Sequence, residues 1–487
     1  MGAMVVSKIL KSPHQKESFT KFKPLEEGLS DEVFKAVTEI FDQLGGASLL
    51  KKSGEVYIKP NAVDSKPYSH TRVELLKAVV LYWKEKGAGK IFLFENSTQA
   101  NYTRIVFNAT GYTKMCRETG AIPIYLDEEK STELFFSRKT GKEDESGEIG
   151  ESHKSGMEYE LKKFEMPATV MKLINERDDH LYINIPKLKT HSMGVVTLGI
   201  KNQWGFPMQK SRGVDHNFRL HHKLADILGY IKPDITLIEG IEGTIHGHYF
   251  ATALADKQVK PFKVLIGSDN VVAADIVGSA LFGLKVADVP HLQNAIDKGF
   301  SHGVNIDADI ELAGDIQNME DLNILGDMPP EGHYPWDLYP QFPDDVKLVN
   351  GKELYCHEGC RNNPLCLLQN LSLDYGGRGG WTMVAGKGHD PLEIAAIEGA
   401  VLVVGPCAVS EVAEQLINRL GEKKVYISNE CNNLAATAEA MFHLMKVNPA
   451  TLVPISFFTA LSSYTAARMK GSCSRVPHPL SHIIKRT

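Results

Sequence analysis

Short β-branched runs alternate with amphipathic stretches over the first three hundred residues, the pattern of strands that cross over through helices into a mainly parallel sheet. It predicts a strand at Val56-Tyr57-Ile58, a helix over 72–86 stopped by Gly87 and a strand over 91–94. A helix over 103–118 stopped by Gly120 and a strand over 122–126 follow. The periodicity then fails. Residues 127–165 are crowded with Glu, Asp, Lys, Ser and Gly, which reads as a solvated insertion with a hairpin near 134–136. Order returns with a strand over 181–185, a helix over 221–230, strands over 235–239 and 263–267, and a helix over 270–282 stopped by Gly283.

The stretch 329–345, dense in Pro, Tyr and Trp, reads as a linker between an α/β domain over 20–328 and a smaller one over 346–487. The second unit shows a βαβ pattern: strand 400–404, helix 409–420, strand 424–428, then a helix over 434–445. The fold class expected is therefore α/β, two domains, with mainly parallel sheets flanked by helices. The uncharged run 447–467 has the length of a membrane span. Pro449, Pro454 and its many Ser and Thr would leave polar groups in hydrocarbon, so it reads as a buried loop and helix.

Composition narrows the partners. The 487 residues carry 54 Lys and Arg against 60 Asp and Glu, a net charge of −6, so no bulk positive field exists to hold nucleic acid. The polar stretch over 11–23 gives no secretory signal, and seven cysteines are too few for a disulfide scaffold. A reducing, cytoplasmic setting is the expectation.

Five of the seven cysteines, Cys356, Cys360, Cys366, Cys407 and Cys431, lie between the linker and Leu434. Cys407 and Cys431 each sit three residues past a predicted strand, at carboxyl ends that share one crevice in an open α/β sheet. A run over 352–355 reads as a further strand delivering Cys356 and Cys360 to the same place. Thiolates gathered at one point repel unless a cation holds them. Their irregular spacing favours a [4Fe-4S] cluster over zinc, which prefers closely paired knuckles. Cys366 is either the spare or a ligand in place of one of the other four, and ordinary buried thiols are the competing reading. Cys116 and Cys473 have no partners in the pattern and read as buried thiols. The glycine-rich loops 374–380 and 386–389 suit an anion or a tight turn.

A second set of residues lies at strand ends in the first domain. Lys187, Lys189 and His191 leave a strand, Lys201 and Asn202 follow, and Lys59 and Asn61 leave the first strand in the same way. Three or four lysines gathered in an acidic protein make a cationic pocket for a carboxylate or phosphate. His191 and Glu95 are candidates for proton transfer by position. His216, His221 and His222 could hold a metal, although their spacing matches no familiar site, and a solvated helix start explains them equally.

The motifs Ile58-Lys59-Pro60-Asn61, Gly87-Ala88-Gly89-Lys90-Ile91, Pro186-Lys187-Leu188-Lys189-Thr190-His191, Gly199-Ile200-Lys201-Asn202 and Gly267-Ser268-Asp269 with Ala273-Ala274-Asp275 occur in order. Over about 56–307 the chain thereby resembles the domain-of-unknown-function family 362, often linked to iron–sulfur modules. The regular C-x2-C runs of those modules are absent here, so a ferredoxin role does not carry over. A more distant similarity, in Ser69-His70-Thr71-Arg72, is to nickel-pincer lactate racemases, whose glycine-rich and paired-histidine motifs are not matched.

The expectation is an iron–sulfur protein of anaerobic metabolism, an oxidoreductase acting on a small anionic organic molecule in the interdomain cleft, with a redox partner protein and a homodimer as a candidate assembly. A racemase with a nickel-pincer-type cofactor and a non-catalytic metal or cluster carrier are the alternatives, with zinc or nickel as alternative metals.

Overall fold

The computed structural model describes residues 3–12, 18–135, 163–214, 219–301, 310–322, 334–339, 342–431 and 433–485. The hairpin tip of the expected insertion, His216, and linker positions 329–333, 340 and 341 lie outside them.

Eleven strands form one large sheet. Its spine runs in the order Ile310–Gly314, Ala3–Ile9, Val264–Ser268, Ile235–Thr244, Leu181–Ile185, Glu55–Pro60, Lys90–Glu95, Ile122–Tyr125. The half from Ile235–Thr244 to Ile122–Tyr125 is parallel, as the βα alternation requires. The other half departs from the expectation: Val264–Ser268 pairs antiparallel with both Ile235–Thr244 and Ala3–Ile9. The sheet is therefore mixed. Alternation along each strand sorts side chains to two faces. Val56 and Ile58 pack with the helices Glu27–Gln43 and Val73–Glu85, whereas Tyr57, Phe94 and Tyr182 pack with Leu220–Tyr230, Val271–Ala280 and Pro290–Asp297.

Several expected elements are corrected. The single helix over 103–118 is two, Thr103–Ala109 and Tyr112–Thr119, because Gly111 between them adopts φ 83°, which no helix continues through. The solvated excursion begins later than 127: Asp127 is buried and accepts from Ser474 Oγ at 2.9 Å. Its hairpin pairs Ser131–Phe135 with Lys163–Pro167.

A second sheet holds four parallel strands in sequence order, Lys347–Asn350, Trp381–Ala385, Ala400–Val404 and Val425–Ser428. The strand expected at 352–355 shrinks to one bridge, Leu354 with Lys387, and the true edge strand lies just before it. The loop glycines are tight turns. Gly376 closes the helix Asn362–Tyr375 at φ 63°, and a Cβ at Gly386 would strike the carbonyl of Leu354. In the expected linker, Pro335–Leu338 is a helical turn whose Trp336 is buried in the core of the small sheet. The run 447–467 is not the buried helix expected, since Phe457 and Phe458 at the start of the helix Phe457–Met469 are 71% and 81% exposed.

Candidate functional site

The lysines at strand ends fall into two kinds. Lys59 donates to Glu95 Oε1 at 2.7 Å, and Lys187 donates to Glu239 Oε1 at 2.7 Å, both fully inside the protein. Burial pushes Lys59 below its ordinary range and the Glu95 charge pushes it back. Glu95 also accepts from the backbone N–H of Ala62 at 3.0 Å and of Asn96 at 2.8 Å. Its oxygens are engaged on three sides, which suits a fixed counter-ion.

Lys189 and Lys201 differ. Lys189 Nζ donates to Asn61 Oδ1 at 2.8 Å and to the Ser69 carbonyl, with Asp64 near enough to act on it electrostatically. Burial lowers it to about 7. Lys201 is 8% exposed, and no carboxylate among the described residues pairs with it. Burial first, then the charges of Lys189 and Arg212, push it down to about 7.

A buried amide network sets these two amines. Asn61 Nδ2 donates to Asn202 Oδ1 at 2.8 Å, Asn202 Nδ2 to Asn184 Oδ1 at 2.7 Å, and Asn184 Nδ2 to the Gly199 carbonyl at 2.8 Å. The strand ends at Asn61 and Asn184 are thereby joined to the short helix Gly199–Asn202. Asp275 accepts from the N–H groups of Gly199 at 2.6 Å and Ile200 at 2.9 Å, so two motifs far apart in sequence meet at the turn that carries Lys201. A Cβ at Gly199 would strike Val271 and Asp275. Burial lifts the Asp275 carboxyl to about 7 against those two donors.

Lys201 lies across Gly194, where a Cβ would occupy the space of its Cδ and Cε. The same turn holds His191, whose Nδ1 accepts from the N–H groups of Met193 at 3.0 Å and Gly194 at 3.1 Å. Two donors on Nδ1 assign the ring proton of the neutral form to Nε2. The ring stacks on His248 with centroids 3.7 Å apart. Ser192, next in the chain, accepts at its carbonyl from Asn362 Nδ2 at 2.6 Å.

Asn362 belongs to the cysteine-bearing region. Cys356 precedes a single π turn, His357–Arg361, closed by Arg361 N–H to the Cys356 carbonyl at 3.1 Å. Cys360 lies on that turn with its Sγ against Gly405, where any Cβ would collide with it. Cys407 is the second residue of the helix Pro406–Leu420, and Cys431 lies in the loop after Val425–Ser428. Val404 and Ser428 are paired in register, which sets the two cysteine loops side by side. Burial lifts the Cys360 thiol to about 12, with Cys431, Cys356 and Cys407 all adding to the shift. These four are neighbours. Cys366 is apart from them: its Sγ contacts the Tyr249 carbonyl at 3.0 Å, and the charges it feels are those of Lys66 and Asp64. Among the described residues no three of His, Cys, Asp and Glu gather tightly enough to hold a single metal ion.

Sequence reading missed Asp64, Arg212 and His248. Arg212 is buried and donates only to carbonyls, among them Ser97 at 2.7 Å and Trp204 at 3.1 Å. Nothing in its local pattern distinguishes it from a surface arginine. Of the histidines, His221 Nδ1 stands 3.2 Å from His291 Nδ1, and burial lowers His221 to about 4. His222 instead meets Asn294 Nδ2 at 3.2 Å, so the two point to different partners.

A thylakoid-associated protein of Synechocystis sp. is 26% identical over 267 residues, covering 52% of this chain and 70% of the relative. A crystal structure of a Thermotoga maritima protein covers 75% of this chain and 74% of its own at 9% identity, with a TM-score of 0.31. The domain of unknown function DUF362 matches residues 56–280. That span holds Lys59, Asn61, Lys189, Lys201, Asn202 and Asp275 and ends before Cys356, so the DUF362 match takes in the lysine site and stops short of the clustered cysteines.

Proposed function

We propose that the chain is an iron–sulfur oxidoreductase that binds a small organic anion on Lys189 and Lys201 and holds a [4Fe-4S] cluster on Cys356, Cys360, Cys407 and Cys431. The observation that carries this reading is the continuity of the two sets. Lys201 crosses the His191 turn, and that turn is bonded through Ser192 to Asn362, two residues after Cys360.

The donor set fits the cofactor chemically. Burial and the neighbouring Cys431, Cys356 and Cys407 disfavour ionisation of the Cys360 thiol, so it becomes compatible as a thiolate only beside a cationic centre. One tetrahedral zinc would draw its sulfurs to within about 4 Å of one another. A cluster spaces them by its own width, which irregularly placed cysteine loops can accommodate. When bound, a cluster of this kind supplies single-electron exchange with a redox partner protein.

The chain's own residues bind and orient. A carboxylate entering beside Lys201 meets a cation with no protein counter-ion among the described residues, and its charge relieves the cost of burying that ammonium. Lys189, fixed by Asn61, offers a second charge, and Asp275 holds the backbone of the Lys201 turn in place. His191 presents Nε2–H as donor or proton source.

Anaerobic reconstitution with iron and sulfide, followed by analysis of both per chain, tests the reading. Cys407→Ser and Cys431→Ser are expected to lower both, and Cys366→Ser to retain them. Unchanged iron in the first two variants would overturn the ligand set. Lys201→Met is expected to abolish anion binding with iron retained.

A further inference from the structure

The helix Phe457–Met469 is built inside out. Only Ser463 and Ala467 of its thirteen residues are buried. At 100° per residue Phe457, Phe458, Leu461 and Met469 fall away from that buried pair, so the small residues touch the protein and these large apolar ones face outward. Phe457 is 71% exposed, Phe458 81% and Met469 83%. The helix is held from beneath by Asn108 Nδ2 donating to Ser463 Oγ at 2.8 Å and by the edge contact of Tyr464 with Tyr102 at 5.6 Å. Its orientation is therefore fixed by packing.

Charge indicates what covers this face. From residue 440 to 487 there is no Asp or Glu, against six basic residues, Lys446, Arg468, Lys470, Arg475, Lys485 and Arg486, in a chain whose net charge is −6. Arg468, which also hydrogen-bonds Tyr102, borders the apolar face, and Lys470 follows the helix. Glu128, which feels Lys470, is already paired with Arg104 at 2.8 Å. Bulky apolar side chains interleaved with cations, on a helix too short to span, match the interfacial zone of an anionic bilayer. A second copy would set like charges against each other.

We infer that this helix docks the protein peripherally on an anionic lipid surface, with Phe457, Phe458, Leu461 and Met469 entering the acyl boundary and Arg468 and Lys470 meeting headgroups. This inference is independent of the cluster and the anion site.

Co-sedimentation of the full chain with vesicles of phosphatidylcholine alone, and with phosphatidylglycerol added, provides the test. Binding is expected to the anionic vesicles and to fall with salt. Phe457→Ser with Phe458→Ser should weaken it by on the order of tenfold or more, since two exposed aromatic rings lose their burial in lipid. Arg468→Glu with Lys470→Glu should weaken binding only where phosphatidylglycerol is present. All four positions are at the surface, so circular dichroism of the variants should match that of the parent. No binding to phosphatidylglycerol vesicles, or equal binding by the double serine variant, would overturn the inference. Conversion of a dimer to a monomer by that variant would do the same, by making a second copy the occupant.

Discussion

Lys201 combines a structural cost with a functional use. Its amine titrates near 10.5 in the unfolded chain and near 7 when folded, because burial penalises the charged form. Below 7 both states hold the proton and the full cost of the buried ammonium is present. Between 7 and 10.5 the unfolded chain binds more protons than the folded one, so the stability owed to this group rises with pH across that window and is level above it. Lys201→Met should therefore raise the thermal midpoint of the ligand-free protein by several degrees at about pH 6 and by much less at about pH 10. Differential scanning at the two pH values reads this directly; an equal shift at both, or a lowered midpoint in acid, would mean that the ammonium has a counter-charge. The lysines at strand ends were legible in the sequence as a group. Which of them are neutralised was not, because the carboxylates that settle it stand 36 residues from Lys59 and 52 from Lys187.

The strand Lys187–His191 shows at the scale of an element why pattern reading stops where it does. Parallel strands buried on both faces usually read as apolar runs, and 56–58, 91–94, 400–404 and 424–428 read that way. Lys187–His191 has one apolar residue, Leu188, among two lysines, Thr190 and His191, so it lacks an apolar run, yet nearly all of it is buried alongside Ile235–Thr244. Its burial is sustained by an ion network: Lys187 reaches Glu239 at 2.7 Å and Glu242 at 3.4 Å, and Arg72 Nε reaches Glu242 at 2.8 Å. Burial raises the Glu239 carboxyl, and the Lys187 charge holds it back. Lys187→Met leaves two buried carboxylates with one cation and should cost about 3–5 kcal/mol in urea unfolding. Adding Glu239→Gln should recover part of that loss, whereas an additive loss would show that the two side chains do not compensate each other. The pairing of Ala3–Ile9 with Val264–Ser268 was hidden for a different reason, since no local period encodes a partner more than 250 residues away.

For the molecule as a whole, a polar seam holds the two sheets in one relation. Lys66 donates to Asn370 Oδ1 and Asp374 Oδ2, each at 2.7 Å, and Asp374 also accepts from the Thr252 N–H at 2.9 Å. Asp374 opens a stretch that reads only as a glycine-rich loop and nothing in the local pattern singles out Lys66, so their union could not be read locally. Burial works to raise the Asp374 carboxyl, but the Lys66 charge and the Thr252 donor outweigh it and hold it below its ordinary range. A depressed carboxyl contributes stability that is complete above its unfolded value of 3.8 and is lost as pH falls through the folded one. Asp374→Asn should then loosen the seam by about 1–3 kcal/mol at neutral pH, the cost of leaving Lys66 with one partner fewer. Hydrogen exchange is the suitable readout, because the loss should appear together at residues 66–70, 249–253 and 362–375 while the strands Trp381–Ala385 and Ala400–Val404 keep their protection. Faster exchange confined to residues around 374 would show that the seam is local and that other contacts, such as Asn362 to Ser192, hold the two sheets in register.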